Sequence, residues 1–172
     1  MVEQLTTYGF LSPAGMLQIK ASDRSLVALH FISNDPMQPR GEIKMNELPD
    51  NIIIYETVAQ LKEYFAGSRI DFSIPLRPEG TEFQLRVWEK LTHIPYARTI
   101  SYQQLAILLG DPKCIRAAGT ANGRNPIAII IPCHRVIGSN GSMVGYGGGV
   151  WRKQFLLALE NRIGNGAAEL FD

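Results

Sequence analysis

The first third of the chain alternates between apolar and polar residues in a way that predicts short strands. Apolar side chains in MLQIKAS fall at or near every second position, and SLVALHFI is rich in apolar and aromatic residues. The tripeptide Pro13-Ala14-Gly15 supplies a turn before this segment. We therefore predict strands within residues 7–33. A loop should follow over 34–50, where proline, asparagine and aspartate are frequent.

A helical period replaces the alternation after residue 51. In IIIYETVAQLKEYFAG, the side chains of Val58, Leu61 and Phe65 fall on one helical face, and Gly67 is a natural end. Two prolines and a glycine in SIPLRPEGT then interrupt the pattern. We place a boundary there, which predicts one domain over residues 1–79 and a second over 80–172.

The second domain is predicted to be mainly helical. TEFQLRVWEKLTHI carries apolar residues at four-residue spacing after Thr81, a suitable N-cap, and SYQQ is a capping box that begins the next helix. The last helix, WRKQFLLALE, is expected to bury Trp151, Phe155 and Leu159. Before it, the apolar run of residues 127–131 leads into Pro132 and a cysteine.

A short helix over residues 112–122 could face DNA. Asp111 and Pro112 would supply its N-cap and first position. Its two faces are expected to carry Lys113, Arg116 and Thr120 on one side and Ile115, Ala118, Gly119 and Asn122 on the other. Small residues, Ala117 among them, allow close approach to a surface. With the preceding helix it predicts a helix-turn-helix, and an ordinary core helix is the alternative.

Composition adds bounds to this picture. The 172 residues are 45% hydrophobic and 19% charged, as in ordinary globular proteins. We see no signal peptide and no apolar stretch long enough for a membrane span. Two cysteines are too few for a disulfide framework, and with three histidines they are few for a metal site. These features predict a reducing, cytoplasmic setting.

The charges are distributed unevenly along the chain. Residues 1–79 hold seven Lys/Arg and ten Asp/Glu, whereas residues 80–162 hold ten Lys/Arg and four Asp/Glu. A basic second half is typical of proteins that bind a polyanion. Random variation of surface residues is the alternative that charge alone leaves open.

The triplet Cys133-His134-Arg135 is the main candidate for chemistry. A free thiol is only a few per cent thiolate at neutral pH, so a nucleophile needs a base or a positive field, which His134 and Arg135 could supply. Neighbours on an extended backbone point apart, so His134 would act through a water or after a local bend. Glu160 is a candidate to orient His134, and a solvated surface carboxylate is its alternative. We interpret Cys114 as structural.

IPCHRVIG resembles the active-site signature of the O6-alkylguanine-DNA alkyltransferases, or methylated-DNA–protein-cysteine methyltransferases. The similarity extends to GTEFQLRVWEKLTHIPYARTISYQQLA, DPKCIRAAGTANGRNP and GYGGGVWRKQFLLALE, and more weakly to SPAGMLQIKASD and LKEYFAGSRIDFSIPL. It implies an α/β protein with a ribonuclease-H-like N-terminal domain and a helical, winged-helix-like C-terminal domain containing a helix-turn-helix. It also implies DNA repair by direct damage reversal, with double-stranded alkylated DNA as partner and no cofactor.

The resemblance also assigns catalytic roles. Cys133 would take the alkyl group irreversibly from O6 of guanine, so each molecule would react once. His134 would be the base, acting through a water, with Glu160 orienting it. Asn125 would brace the turn that presents the active-site strand, and Tyr102 would assist at the flipped base and its phosphate.

Further residues are expected at the DNA and around the base. Arg116 would fill the gap that the flipped nucleotide leaves in the duplex. The other residues expected at DNA are Lys113, Thr120, Ala117, Arg135 and Tyr102. The guanine pocket would be lined by Val136, Tyr146, Gly147 and Gly148. We expect a monomer without membrane association, with O4-alkylthymine as a second substrate; cooperativity on DNA stays open.

Three positions depart from the family pattern. Ala97 stands where glycine is usual, Cys114 where a small residue such as alanine is usual, and Gly147 where some members have serine. Two other classes of function also remain as alternatives. One is a DNA-binding protein in which Cys133 is unreactive, and the other is a Cys–His hydrolase acting on acyl substrates.

Overall fold

The computed structural model describes residues 3–32 and 47–166, so most of the loop predicted over 34–50 lies outside the described residues. The chain divides into two compact units. The first contains the described residues up to Glu79 together with Pro126–Ala128, and the second contains Gly80–Asn125 and the chain from Ile129 onward. The return of residues 126–128 to the first unit was not anticipated by a single boundary near residue 80.

Within its described residues, the first unit is a three-stranded antiparallel sheet with one helix. Its elements are β1 (Thr6–Ser12), β2 (Gly15–Ala21), β3 (Leu26–Phe31) and α1 (Ile52–Ala66), with the sheet order β1-β2-β3. Alternation buries Leu17, Ile19 and Ala21 completely, as the pattern predicts. Asn51 caps α1 through its side chain, and Gly67 ends the helix in the left-handed conformation.

Residues 126–128 run beside β3 within this unit. The Leu29 N–H donates to the Pro126 carbonyl at 2.9 Å, and the Ala128 N–H donates to the Leu29 carbonyl at 2.7 Å. The apolar run therefore begins as one parallel bridge to β3. It does not continue as a strand, because the following residues turn.

The second unit is helical with one small parallel ladder. Its elements are α2 (Glu82–Thr92), β4 (Ile100–Ser101), α3 (Tyr102–Leu108), α4 (Ile115–Gly123), β5 (Val136–Ile137) and α5 (Val150–Gly164), with β4 pairing β5. The N-cap predicted at Thr81 and the capping box predicted at Ser101 are both confirmed, and Thr81 also forms a capping box with Gln84. Trp88 is buried and its indole N–H donates to the Ala121 carbonyl at 2.8 Å, which joins α2 to α4.

The prediction for the start of α4 is wrong by three residues. Asp111 does not cap the helix. Its carboxylate instead accepts from the Lys113 N–H at 2.9 Å, and its carbonyl accepts from the Cys114 N–H at 3.0 Å, which closes a separate turn. Lys113 consequently lies in this turn, ahead of the helix. Ile115, expected on the inner face, is exposed.

The prediction for the buried face of α5 is also wrong in part. Leu159 is buried, but Trp151 and Phe155 are only partly so. The inner face instead carries three charged side chains, Arg152, Lys153 and Glu160. An apolar-face rule misses them because each is satisfied by partners inside the unit.

No helix within residues 3–32 and 47–166 has both the length and the apolar character needed to cross a membrane.

Candidate active site

The backbone bends at the Cys-His-Arg triplet. Cys133–Arg135 form one turn of 3₁₀ helix, in which the Arg135 N–H donates to the Pro132 carbonyl at 3.0 Å and the Val136 N–H donates to the Cys133 carbonyl. The active-site strand implied by the resemblance is therefore a turn in this structure. The local bend removes the strand geometry that would point neighbouring side chains apart.

Ile129 explains how the apolar run becomes a turn. Its φ is 70°, a left-handed conformation that is unusual for a β-branched residue. Its side chain is almost fully buried, so packing holds the strained backbone in place. The Asn125 side-chain amide donates to the Ile131 carbonyl at 2.7 Å and closes the same segment. The turn is thereby fixed on both sides immediately before Cys133.

His134 and Glu160 form a buried pair. His134 Nε2 lies 2.7 Å from Glu160 Oε1, and both side chains are inaccessible to solvent. Burial alone would raise the pKa of Glu160, but hydrogen bonds from His134 and Arg135 outweigh it and lower that pKa to about 2. The carboxylate is therefore ionised and accepts the hydrogen on Nε2.

The tautomer leaves the other imidazole nitrogen as an acceptor. Burial lowers the pKa of His134 despite the opposing effect of Glu160, so the ring is neutral. With the hydrogen on Nε2, Nδ1 carries a lone pair. Nδ1 is buried and has no hydrogen-bond partner among the described residues. His134 can therefore accept a proton at Nδ1.

Cys133 rests as a neutral thiol. Its residue is 6% exposed, and burial raises the thiol pKa, while Asn125 and Lys153 act in the opposite direction. A thiolate therefore forms only if the proton is transferred to a base at the time of reaction. The nearby positive charge comes from Lys153, which was not among the predicted site residues.

Arg135 is buried beside the His134–Glu160 pair and is not on the exposed surface that was predicted to contact DNA. Its guanidinium donates to both Glu160 oxygens at 2.9 Å and to the Ile94 carbonyl at 2.7 Å. The residue is 7% exposed. These contacts occupy the guanidinium inside the unit, so the prediction that Arg135 binds DNA is wrong. Its fork holds the Glu160 carboxylate in place for His134.

Lys153 joins the nucleophile's turn to the loop after β5. Its ammonium donates to the Val136 carbonyl at 2.5 Å and to the Val144 carbonyl at 3.3 Å. Burial lowers the pKa of Lys153, while Cys133 opposes that shift. The signal that could have revealed Lys153 is its spacing, because Lys153, Leu156 and Glu160 fall on one helical face.

Tyr102 and the candidate guanine pocket meet at this loop. The Tyr102 hydroxyl donates to the Val144 carbonyl at 3.0 Å. Val136 is buried, and the hydroxyl of Tyr146 is buried without a hydrogen-bond partner among the described residues. Arg152, also missed from the sequence, donates to the Gly148 carbonyl at 2.9 Å. A side chain at Gly147 would come within 3.3 Å of the Gly123 carbonyl, so the loop packs closely on the end of α4.

The outer side of α4 carries the remaining predicted DNA contacts. Arg116, Ala117 and Thr120 are exposed on the helix, and Lys113 is exposed in the turn before it. Ala118, Ala121 and Asn122 form the inner side. A buried cysteine–histidine–glutamate set therefore lies in the same unit as a helix whose exposed side carries Arg116, with Lys113 in the turn before it.

Comparison with known proteins identifies the family. Residues 6–78 match the ribonuclease-like domain of 6-O-methylguanine DNA methyltransferase, and residues 82–162 match its DNA-binding domain. A methylated-DNA–protein-cysteine methyltransferase of Mycobacterium leprae is 45% identical, over 94% of this chain and 95% of the relative. One from Methanosarcina barkeri is 44% identical, over 87% and 92%.

Solved structures agree with this assignment. A crystal structure of Mycobacterium tuberculosis O6-methylguanine methyltransferase is 42% identical, covers 92% of this chain and 93% of its own, and has a TM-score of 0.79. A crystal structure of Mycobacterium tuberculosis OGT in complex with DNA is 41% identical, covers 91% and 93%, and also scores 0.79. The chain belongs to the methylated-DNA–protein-cysteine methyltransferase family, which confirms the predicted fold class.

Proposed function

We propose that Cys133 is the alkyl acceptor in the DNA-repair methyltransferase activity of this family. The observation that carries the proposal is the buried turn in which Cys133 adjoins His134, with Nδ1 of His134 unpartnered and Nε2 held by Glu160. Cys114 has no comparable surroundings, because it is partly exposed at the start of α4. Only Cys133 combines burial with an adjacent base.

The transfer step balances without a cofactor. His134 Nδ1 takes the Cys133 proton through a water, and the sulfur attacks the alkyl carbon on O6 of guanine. The S–C bond forms as the C–O bond breaks, and the departing guanine anion takes the proton back from His134 through water. The product is a thioether, which has no carbonyl for water to attack. Each molecule therefore reacts once, unlike a Cys–His hydrolase, which passes through an acyl-enzyme.

The alkylated nucleotide must leave the DNA base stack before it can reach Cys133. O6 of a stacked guanine cannot reach the thiol of a residue that is only 6% exposed, so the nucleotide is flipped. Arg116 on the exposed side of α4 enters the gap, and Lys113, Ala117 and Thr120 lie against the DNA. Tyr102 then contacts the flipped nucleotide. Val136 and the segment of residues 146–148 enclose the base.

We also propose the oligomeric state, the cellular setting and a second substrate of the protein. We propose that the protein acts as a monomer in the reducing cytoplasm, where the acceptor thiol stays free. O4-alkylthymine, which presents a comparable alkyl ether, is the second substrate. We also propose two domains over residues 1–79 and 80–172, supported by family matches over residues 6–78 and 82–162, although residues 126–128 pack with the first unit.

Counting the products tests the proposal. With duplex DNA carrying O6-methylguanine in tenfold excess, repaired guanine should reach one equivalent per protein molecule and then stop. Cys133→Ser should give none, and Cys114→Ser, the matched control, should give one equivalent. Continued turnover would contradict the proposal, and so would full repair by Cys133→Ser.

A further inference from the structure

Asn122 is a buried polar residue on the inner side of α4, the helix whose outer side is proposed to face DNA. It is 1% exposed, although the neighbours that share its side of the helix, Ala118 and Ala121, are small and apolar. None of the roles described so far uses Asn122. A buried amide in such a position needs a reason, because an apolar residue would be less costly to bury.

The side-chain amide of Asn122 contacts the nucleophile's own peptide group. Its Nδ2 lies 3.3 Å from the Cys133 carbonyl oxygen and donates to it. That oxygen also accepts from the Val136 N–H, which closes the 3₁₀ turn. The orientation of the amide follows from chemistry, because the opposite orientation would place two acceptor oxygens against each other. The Cys133 carbonyl is thereby held from two directions.

Asn122 also lies beside Tyr102. Burial raises the pKa of the Tyr102 hydroxyl and Cys133 raises it further, whereas the side chain of Asn122 lowers it. The ring of Tyr102 packs near Gly119, one turn earlier on α4. One side chain of α4 is therefore in contact with the nucleophile and with a residue proposed to touch the flipped nucleotide.

The side-chain oxygen of Asn122 indicates that this residue is not present to stabilise the fold. Oδ1 of Asn122 is buried and has no hydrogen-bond partner among the described residues. A buried unsatisfied acceptor destabilises the folded state. Gln60 in α1 provides the contrast, because its Nε2 donates to Ser73 Oγ at 3.0 Å and its Oε1 accepts from the Ser73 N–H at 2.9 Å. Both ends of that amide are satisfied.

We propose that Asn122 is a positioning residue that holds the Cys133 turn and joins it directly to the DNA-reading helix. Fixing the Cys133 carbonyl from two directions keeps the thiol aimed at the alkyl carbon. Because the link is part of α4, the geometry of the nucleophile is tied to the element that seats on DNA. This inference rests on the proposed role of Cys133.

The experiment uses two variants and two substrates. Asn122→Leu keeps the branching of the side chain but removes the donor, and Asn122→Ala removes it with less bulk. Transfer from the free base O6-benzylguanine and from duplex O6-methylguanine should each slow about tenfold, the effect of losing one well-placed hydrogen bond. The loss should appear in the maximal rate constant, with substrate affinity unchanged, because the amide acts on the nucleophile.

Thermal unfolding separates this role from a structural one. Asn122→Leu should unfold at or above the wild-type temperature, because it removes an unsatisfied buried acceptor, yet react slowly. Gln60→Leu, the matched control, should unfold at a lower temperature and transfer at the wild-type rate while folded, because it leaves Ser73 unpaired far along the chain from the nucleophile.

Three outcomes decide between the possibilities. Wild-type rates in both Asn122 variants would overturn the inference. Slower transfer caused only by weaker binding, with an unchanged maximal rate constant, would overturn it as well. If the wild-type protein itself fails to place a benzyl group on Cys133, the proposed function fails instead, which distinguishes the two claims.

Discussion

Acid should destabilise the second unit through Glu160. The pKa of this carboxyl falls from an ordinary value of 4.5 to about 2 in the folded protein, where His134 and Arg135 hydrogen-bond its ionised form. Between these two values the unfolded chain binds more protons than the folded one, so stability is lost as the pH falls. A shift of this size corresponds to about 3 kcal/mol, present above pH 5 and lost toward pH 2.

Two tryptophans make the effect measurable in the second unit. Trp88 and Trp151 are the chain's only tryptophans, and both lie there. Urea unfolding followed by their fluorescence between pH 2 and pH 7 should show the acid loss in wild type. Glu160→Gln should be less stable at neutral pH, because Arg135 loses its buried partner, and its stability should vary less with pH.

Glu89 provides the matched control. This carboxylate is more than half exposed and lies near Lys90 and His93. Glu89→Gln should keep the acid loss of wild type, because exposed ion pairs contribute little. Parallel pH dependences in wild type and Glu160→Gln would refute the reasoning, since they would show that Glu160 is not held ionised by its partners.

Three further predictions concern DNA and the backbone. Arg116→Ala should slow repair of duplex DNA by more than about tenfold and leave transfer from free O6-benzylguanine unchanged, because only the duplex requires flipping. Equal slowing on both substrates would contradict the intercalation of Arg116. Affinity for duplex DNA should fall more than about tenfold between 50 and 200 mM salt. Lys113→Gln should reduce the slope of log affinity against log salt concentration by about one. An affinity that does not change with salt would contradict the proposed contacts of Arg116 and Lys113 with DNA. Ala97 has a φ of 57°, and a side chain at Gly164 would lie 2.5 Å from its Cβ. Ala97→Gly should therefore stabilise the protein by about 0.5–1 kcal/mol. It should also reduce the destabilisation caused by Gly164→Ala when the two changes are combined. If the unfolding free energies of the two single variants simply add in the double variant, the two positions do not touch.

The sequence was informative wherever local rules determine the structure. Alternation predicted the strands of the first unit, and side-chain caps predicted where α2 and α3 begin. Asp111 misled, because a carboxylate before proline can cap a helix or close a turn. Here its local hydrogen bonds to the N–H groups of Lys113 and Cys114 close a turn ahead of the helix.

Cys133 and His134 were predicted from their reactive residue types, with Glu160 as a candidate partner, but Arg152 and Lys153 were not predicted. Cys133 and His134 stand out in sequence because thiol and imidazole are chemically distinctive. The sequence did not single out Arg152 or Lys153, and only the fold shows that their side chains donate to backbone carbonyls inside the unit. Arg135 was misplaced for the same reason, since the sequence cannot show that Ile94 and Glu160 surround it.

The conformation of the turn before Cys133 could not be predicted from local sequence preferences. A run of isoleucines is the pattern of a buried strand, yet Ile129 adopts a left-handed conformation that its side chain disfavours. Burial of that side chain and the bond from Asn125 to Ile131 hold it there. Local propensity fails at such a position because long-range packing overrides it, as expected beside a functional group.

Alkyl transfer to Cys133 is tested most directly by intact mass after incubation with an oligonucleotide duplex carrying one O6-methylguanine, followed by peptide mapping. We expect a gain of one methyl group per protein molecule, located on Cys133 and absent from Cys114. A protein that binds the duplex and gains no mass, or that carries the methyl group on Cys114, would contradict it.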